Sequence, residues 1–383
     1  MNLEIPPPTP KDRLSPFRPG FGSTPPVMVG RQPEVTSFAR ALDGTGSTGR
    51  TVFVTGQRGV GKTVLLNIFQ EVADTRQWFT IREQASVGFV DRLAHARLPE
   101  VLESHDAHES SKSKVVGLTL PMSAGGLTVR SETTSALVPD LRSHLMKVLD
   151  LLDSHETGLL IALDEVHRSN LDEFRQMTDA LAYAMSQEAP LAFVAAGLPA
   201  SIDNIVNDDV STFLRRAERI NLGSLSAAET SEALKTPVEQ AGKAFAADAV
   251  EFGVELSQGY PYLVQIVGDL SWNEAIDSDE ITKAHVAEIE QEARLVLGRQ
   301  IHEPTLAALS QGARRYLKAM TLDDGVSSTG EIADRLGIKK QTANDYRRQL
   351  IAHGVVEVPS FGHLRMVIPY LREHLLERDD EMQ

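Results

Sequence analysis

The densest group of chemistry-bearing residues is Gly56-Gln57-Arg58-Gly59-Val60-Gly61-Lys62-Thr63, a full G-x-x-x-x-G-K-T followed by Val64. Glycines at this spacing let backbone N–H groups turn inward around phosphate oxygens without Cβ clashes. A helix opening at Lys62 adds partial positive charge from its N-terminus. In that geometry Lys62 bridges the β- and γ-phosphates of a nucleotide, and Thr63 offers its hydroxyl to Mg²⁺. A second group lies further on, where the apolar run Gly158-Leu159-Leu160-Ile161-Ala162-Leu163 ends in Asp164-Glu165. Asp164 is the candidate to hold Mg²⁺ through water, and Glu165 to orient and deprotonate an attacking water. His167 is either a phosphate sensor or a solvent-facing histidine at a helix start.

These groups need elements to hold them. The β-branched run at 51–55 reads as a strand feeding the glycine loop, and 62–73 has helical periodicity. Strand patterns at 78–82, 159–163 and 191–196 alternate with helical ones at 87–102, 139–153 and 171–185. Buried strands alternating with helices predict a parallel α/β sheet covered on both faces. The stretch 104–130 interrupts this rhythm. A hairpin around Ala124-Gly125-Gly126 (about 114–130) reads as an insertion, either a contact element for another protein or a cover for a sheet edge. From Ser226 the pattern turns helical, opened by the capping box Ser226-Ala227-Ala228-Glu229.

Composition bounds the rest. With 42% apolar and 24% charged residues the chain is globular, and with no Cys it has neither disulfides nor thiolate sites. Apolar runs stay well short of the ~20 residues of a spanning helix, and the N-terminal residues lack the pattern of a secretory signal, so a soluble, cytoplasmic protein without membrane contact is expected. Nine of the 19 prolines fall in residues 1–33, which predicts an extended arm, loose or wrapped on the body. The net charge of −15 argues against nucleic acid, yet residues 310–378 hold eleven Lys/Arg against eight Asp/Glu.

The two motifs and the element order resemble the AAA+ ATPases, most of all the initiator-like and archaeal-ATPase branch that grades into signalling STAND ATPases. The resemblance spans about residues 28–300. It implies ATP/ADP and Mg²⁺ as cofactors, self-association, and ATP hydrolysis. It also implies that Val29-Gly30-Arg31 with Glu34 packs on adenine, and that Pro261 and Tyr262 of Gly259-Tyr260-Pro261-Tyr262-Leu263 pack near base and ribose. Arg215 or Arg216 takes the place of the arginine finger, which acts on a neighbouring subunit's phosphoryl group. Two departures stand out. The strand at the sensor 1 position ends Ala195-Ala196-Gly197-Leu198 without a polar residue, and no arginine stands at the usual sensor 2 place.

The C-terminal part resembles a winged helix-turn-helix. Helices at 311–321, 328–336 (another S-x-x-E cap) and 340–353 precede two strands at 355–358 and 364–368. In such modules the third helix enters the major groove. Lys339, Lys340, Gln341, Thr342, Asn344, Arg347 and Arg348 on it, with Arg365 in the wing, are candidate contacts to duplex DNA. The expected fold is therefore α/β, an AAA+ P-loop parallel sheet with a helical lid, plus a C-terminal winged helix-turn-helix. The expected division is a proline-rich arm (1–33), nucleotide-binding domain (34–225), lid (226–303), winged helix (304–378) and acidic tail (379–383). The expected function is a nucleotide-controlled ATPase that assembles and engages DNA. The alternatives are a STAND-like switch using the winged helix for protein contacts, or a helper ATPase of a mobile element or phage-defence system.

Overall fold

The computed structural model describes residues 14–20, 22–44, 49–103, 140–166, 171–207 and 212–380. The expected hairpin insertion, His167 and the first thirteen residues of the arm lie outside the described residues. Five strands build the main sheet: β1 (Thr51–Gly56), β2 (Phe79–Gln84), β3 (Leu159–Val166), β4 (Leu191–Gly197) and β5 (Glu218–Leu222). Their order is β2-β3-β4-β1-β5, and every pairing is parallel.

All six residues of β1 and all seven of β4 are buried, which explains their unbroken apolar sequence: helices cover both faces. Side chains alternate between two cores. Val52, Val54, Leu160 and Val194 face the P-loop helix, Lys62–Asp74, and the helix Gln32–Asp43. Phe53, Ile161, Leu163 and Phe193 face the helices Leu141–Asp153 and Leu171–Ser186. Phe38 stacks on Phe69 at 4.3 Å, tying the first helix to the P-loop helix.

Beyond Ser226 come five helices from Ala227–Gln240 to Glu290–Leu297, with the predicted capping box formed in full. Two short strands, Ala244–Phe245 and Glu280–Ile281, pair in parallel here, where an all-helical pattern was expected. A π turn, Gly298–His302, leads into the last unit. There the helices Gln311–Met320, Thr329–Leu336 and Lys340–Ala352 precede an antiparallel sheet. That sheet has three strands rather than two, with His363–Met366 between Val326–Ser328 and Val356–Glu357. The extra strand explains a failed expectation. Ser328 ends it, paired with His363, and makes no side-chain cap for the following helix. A final helix, Leu371–Asp380, takes in part of the expected acidic tail. No helix among the described residues is long and apolar enough to cross a membrane.

The arm wraps. Phe17 is buried against the helix Pro261–Glu274, and the segment beyond it runs back to the start of the first helix.

Candidate functional site

Ligand crevices in open α/β sheets lie outside the carboxyl ends of the strands, and here β1 and β3 end at the mouth of one cleft of about 600 Å³. Its wall includes Arg58, Gly59, Val60, Gly61, Lys62, Thr63 and Val64 from the loop, and Asp164 and Glu165 from β3. Val29 and Arg31 come from the arm side, Pro261 and Tyr262 from the lid. Most of the sequence-predicted nucleotide site is thus in one place.

Four predicted members, Gly30, Glu34, Gly56 and Gln57, are not in the wall, and three of them have a packing reason. Gly56 is pressed on β5, where a Cβ would stand 2.6 Å from the Leu222 carbonyl oxygen. Gly30 abuts the Glu229 carboxylate, and Gln57 turns outward to Gly354 of the C-terminal unit.

The loop is built to receive an anion. Gly61 precedes the P-loop helix with φ +96, and no side chain caps that N-terminus, so its first N–H groups face the cleft. Lys62 Nζ donates to the carbonyls of Gly56 (2.9 Å) and Gln57 (2.7 Å). Burial pushes the Lys62 ammonium down to about 8, with Asp164 opposing the shift and Arg58 adding to it. The lid fixes the loop from the other side. Tyr260 Oη donates to the Arg58 carbonyl at 2.5 Å, and Tyr262 N–H to the Gly59 carbonyl at 3.2 Å. Gly59 must be glycine: its φ is +73, and a Cβ would meet Tyr260 Oη at 2.3 Å. Burial also pushes the Tyr260 phenol up, so it stays a donor.

On β3 the pairing with β4 shifts register between Leu163 and Val166. The bulge separates the carboxylates. Asp164 is buried, its Oδ2 accepting from Thr63 Oγ1 at 2.8 Å, whereas Glu165 is exposed with φ +55. A non-glycine residue at that φ is strained, and the Glu165 N–H bond to Asp164 Oδ1 (2.9 Å) helps hold it. Thr63 and Asp164 form a pair of hard oxygen donors. No group of three or more His, Cys, Asp or Glu suited to a metal exists among the described residues. This set fits Mg²⁺, which takes few protein ligands and completes its shell with phosphate and water.

Sequence reasoning missed four contributors. Arg18 from the arm and Arg299 from the π turn line the cleft, and neither side chain makes an ion pair or hydrogen bond among the described residues. Arg82 reaches Asp164 Oδ2 at 3.5 Å while donating to Asn67 Oδ1. Tyr260 secures the loop as described. Arg31, by contrast, spends its guanidinium on the carbonyls of Gly30 and Gly223.

Arg215 and Arg216 sit on the 3₁₀ turn Thr212–Arg216, outside the cleft wall, with Arg215 Nε donating to the Val206 carbonyl at 3.3 Å. On the helix Lys340–Ala352 and its entry, Lys339, Lys340, Gln341, Asn344 and Arg348 are exposed, and Thr342 and Arg347 half-buried. Arg348 is paired with Asp345, and Arg365 with Glu357.

Comparison with known proteins accords with this geometry. Residues 27–195 match a family model described as AAA ATPase domain, and residues 299–375 one described as Domain of unknown function (DUF8462). No curated protein matches the chain. Among solved structures, a Walker-type ATPase of Pyrococcus abyssi is 16% identical, with TM-score 0.61 over 91% of this chain and 96% of its own. The ORC2 protein of Aeropyrum pernix, solved as ADPNP–ADP complexes, is 15% identical, with TM-score 0.61 over 97% of this chain and all of its own. Likeness at such identity is likeness of fold. The matched part of this chain, residues 27–195, is an AAA ATPase domain, and the five-stranded parallel sheet has the AAA+ P-loop α/β fold.

Proposed function

We propose that nucleotide state in this cleft controls how the C-terminal unit, read as a winged helix, engages duplex DNA. One observation carries the proposal: the turn that ends the third helix rests on the P-loop. A Cβ on Gly354 would stand 2.1 Å from Gln57 Oε1 and 3.0 Å from Leu198 Cδ2. His353 beside it is held below its usual range by burial, with the neighbouring Arg58 charge adding to the effect. Gln57 Oε1 is buried there without a hydrogen-bond partner, a state that a small shift of the loop can relieve. The contact couples phosphate binding at one end of the helix to the orientation of Lys339 and Lys340 at the other.

At the cleft, Lys62 would leave its two carbonyl partners to meet the β- and γ-phosphates. Thr63 and Asp164 would hold Mg²⁺, which neutralises charge on the transferring phosphoryl when bound. Glu165, exposed at the bulge, would take the proton of the attacking water. Arg215 or Arg216 would complete the site of an adjacent subunit, since neither lines its own. A STAND-like switch with slow turnover is the second reading, favoured by Ala195-Ala196-Gly197 at the end of β4, where no polar side chain faces a γ-phosphate.

Fluorescence anisotropy of a labelled duplex at low salt, with ATP, ADP or no nucleotide, tests the proposal. Affinity is expected to differ several-fold between states. Equal affinity in all three would leave the P-loop contact without a role in DNA engagement.

A further inference from the structure

The arm has contacts that packing alone does not require. Phe17 fills a socket made by Gly268, where a Cβ would stand 2.3–2.5 Å from its ring atoms. Arg18 N–H donates to Gln265 Oε1 at 3.1 Å on the same helix. Four residues on, the chain crosses the P-loop helix: a Cβ on Gly22 would lie 3.7 Å from Thr63 Cγ2. The Asn67 amide fastens it there, donating to the Gly22 carbonyl (3.1 Å) and Thr24 Oγ1 (2.9 Å). The same amide accepts from Arg82, which reaches Asp164 Oδ2. The segment therefore spans from lid to P-loop helix and is bonded through two side chains to the carboxylate of the Mg²⁺ pair.

Arg18 lines the cleft from this segment, and its guanidinium has no ion pair or hydrogen bond among the described residues. That is notable in a chain with 53 acidic and 38 basic residues, where Arg76, Arg219 and Arg335 on other surfaces all hold carboxylates. An unpaired guanidinium in the wall of a cleft that also holds Lys62 and a bare helix N-terminus suits a polyphosphate, whose negative charge it can help neutralise.

We infer that the described arm residues 15–20 and 22–24 form a strap that retains nucleotide in the cleft, and that Arg18 is a phosphate-binding residue supplied by it. The strap rests on the reading that nucleotide occupies the cleft. Phe17 must leave the Gly268 socket for the strap to lift, so release of nucleotide is tied to undocking of the arm. The order of contacts from Phe17 to Asp164 makes the strap an extension of the catalytic wall.

The test is equilibrium binding and dissociation of fluorescent ATP and ADP by the full chain. Wild type is compared with Arg18→Ala, Arg18→Lys and Phe17→Ala, with Lys62→Ala as the control for the cleft itself. Removing a charge-assisted contact should weaken ATP binding about tenfold in Arg18→Ala, and ADP binding less, while Arg18→Lys stays within about threefold of wild type. Phe17→Ala should dissociate nucleotide faster by about tenfold and, because the strap is peripheral, still melt cooperatively without ligand. Wild-type affinities and release rates in both Arg18→Ala and Phe17→Ala would overturn the strap. So would an Arg18→Lys variant as weak as Arg18→Ala, since position rather than charge would then be at work. If Lys62→Ala binds as well as wild type, the nucleotide reading of the cleft fails, and the strap fails with it.

Discussion

The nucleotide cleft and the third C-terminal helix both present cations, but they treat them in opposite ways. In the cleft, Arg18, Arg58 and Arg299 have no carboxylate partner among the described residues, and the half-buried Lys62 donates to backbone carbonyls. On the helix and wing, Arg348 and Arg365 are held by Asp345 and Glu357, leaving Lys339 and Lys340 exposed and unpaired at the helix entry. The first arrangement is preorganised for a polyanion. The second is partly self-neutralised, which leaves a small basic patch on a body of net charge −15 for the proposed contact with DNA. A site made of two lysines needs either several copies acting together or a partner ready to displace Asp345 and Glu357.

The largest effect belongs to the cleft. Lys62→Ala removes the cation facing the phosphates, and ATP binding is expected to fall by about a thousandfold, from a charged contact of several kcal/mol made where water is excluded. Titration calorimetry checks this. Survival of tight binding would remove the nucleotide reading of this cleft.

Next comes the proposed contribution from a neighbour. The double variant Arg215→Ala/Arg216→Ala should lower turnover by about a thousandfold if one of them stabilises the transferring phosphoryl in trans. Adding the Lys62→Ala chain, inactive but with its arginines intact, should restore part of that rate in a mixture. No rescue, with specific activity independent of protein concentration, would place the pair outside the reaction.

On the helix the change is smaller. Lys339→Glu/Lys340→Glu should weaken duplex binding by roughly tenfold to a hundredfold and leave ATP affinity unchanged. The dependence of log K on log salt should flatten by about two units, one per lost phosphate contact. An unchanged slope would move any DNA surface elsewhere. The smallest effect is the pH dependence of the cleft. Lys62, depressed to about 8 by burial, must carry its proton to face phosphate. Below pH 8 it already does. Above pH 8 binding has to take up a proton, so affinity should fall by up to about tenfold per pH unit. Calorimetry in buffers of different ionisation enthalpy reads that proton directly.

The same contrast explains what the sequence disclosed. The glycine loop, the strand before it, the helix after it and Asp164-Glu165 were legible because each is local: a spacing, a buried run, a helical period, a carboxylate at a strand end. The capping box at Ser226 was legible for the same reason, and the one expected at Ser328 failed because a strand pairing from Val326–Ser328 claimed that residue. What stayed hidden depends on distant partners. Nothing around Phe17 announces Gly268, and nothing around Arg18, Arg82 or Arg299 announces a cleft assembled from an arm, a strand end and a π turn. Gln57 and Gly354 were two unremarkable residues until the fold put one against the other.

The proposed function rests most on Glu165 as the group that would activate water in the cleft. Its direct measurement is ATP hydrolysis in a single turnover, with nucleotide binding followed in parallel, for wild type and Glu165→Gln. The account predicts near-native binding in the variant with hydrolysis slowed by about a hundredfold or more, since an amide cannot take the proton. Equal hydrolysis rates in the two proteins would contradict it.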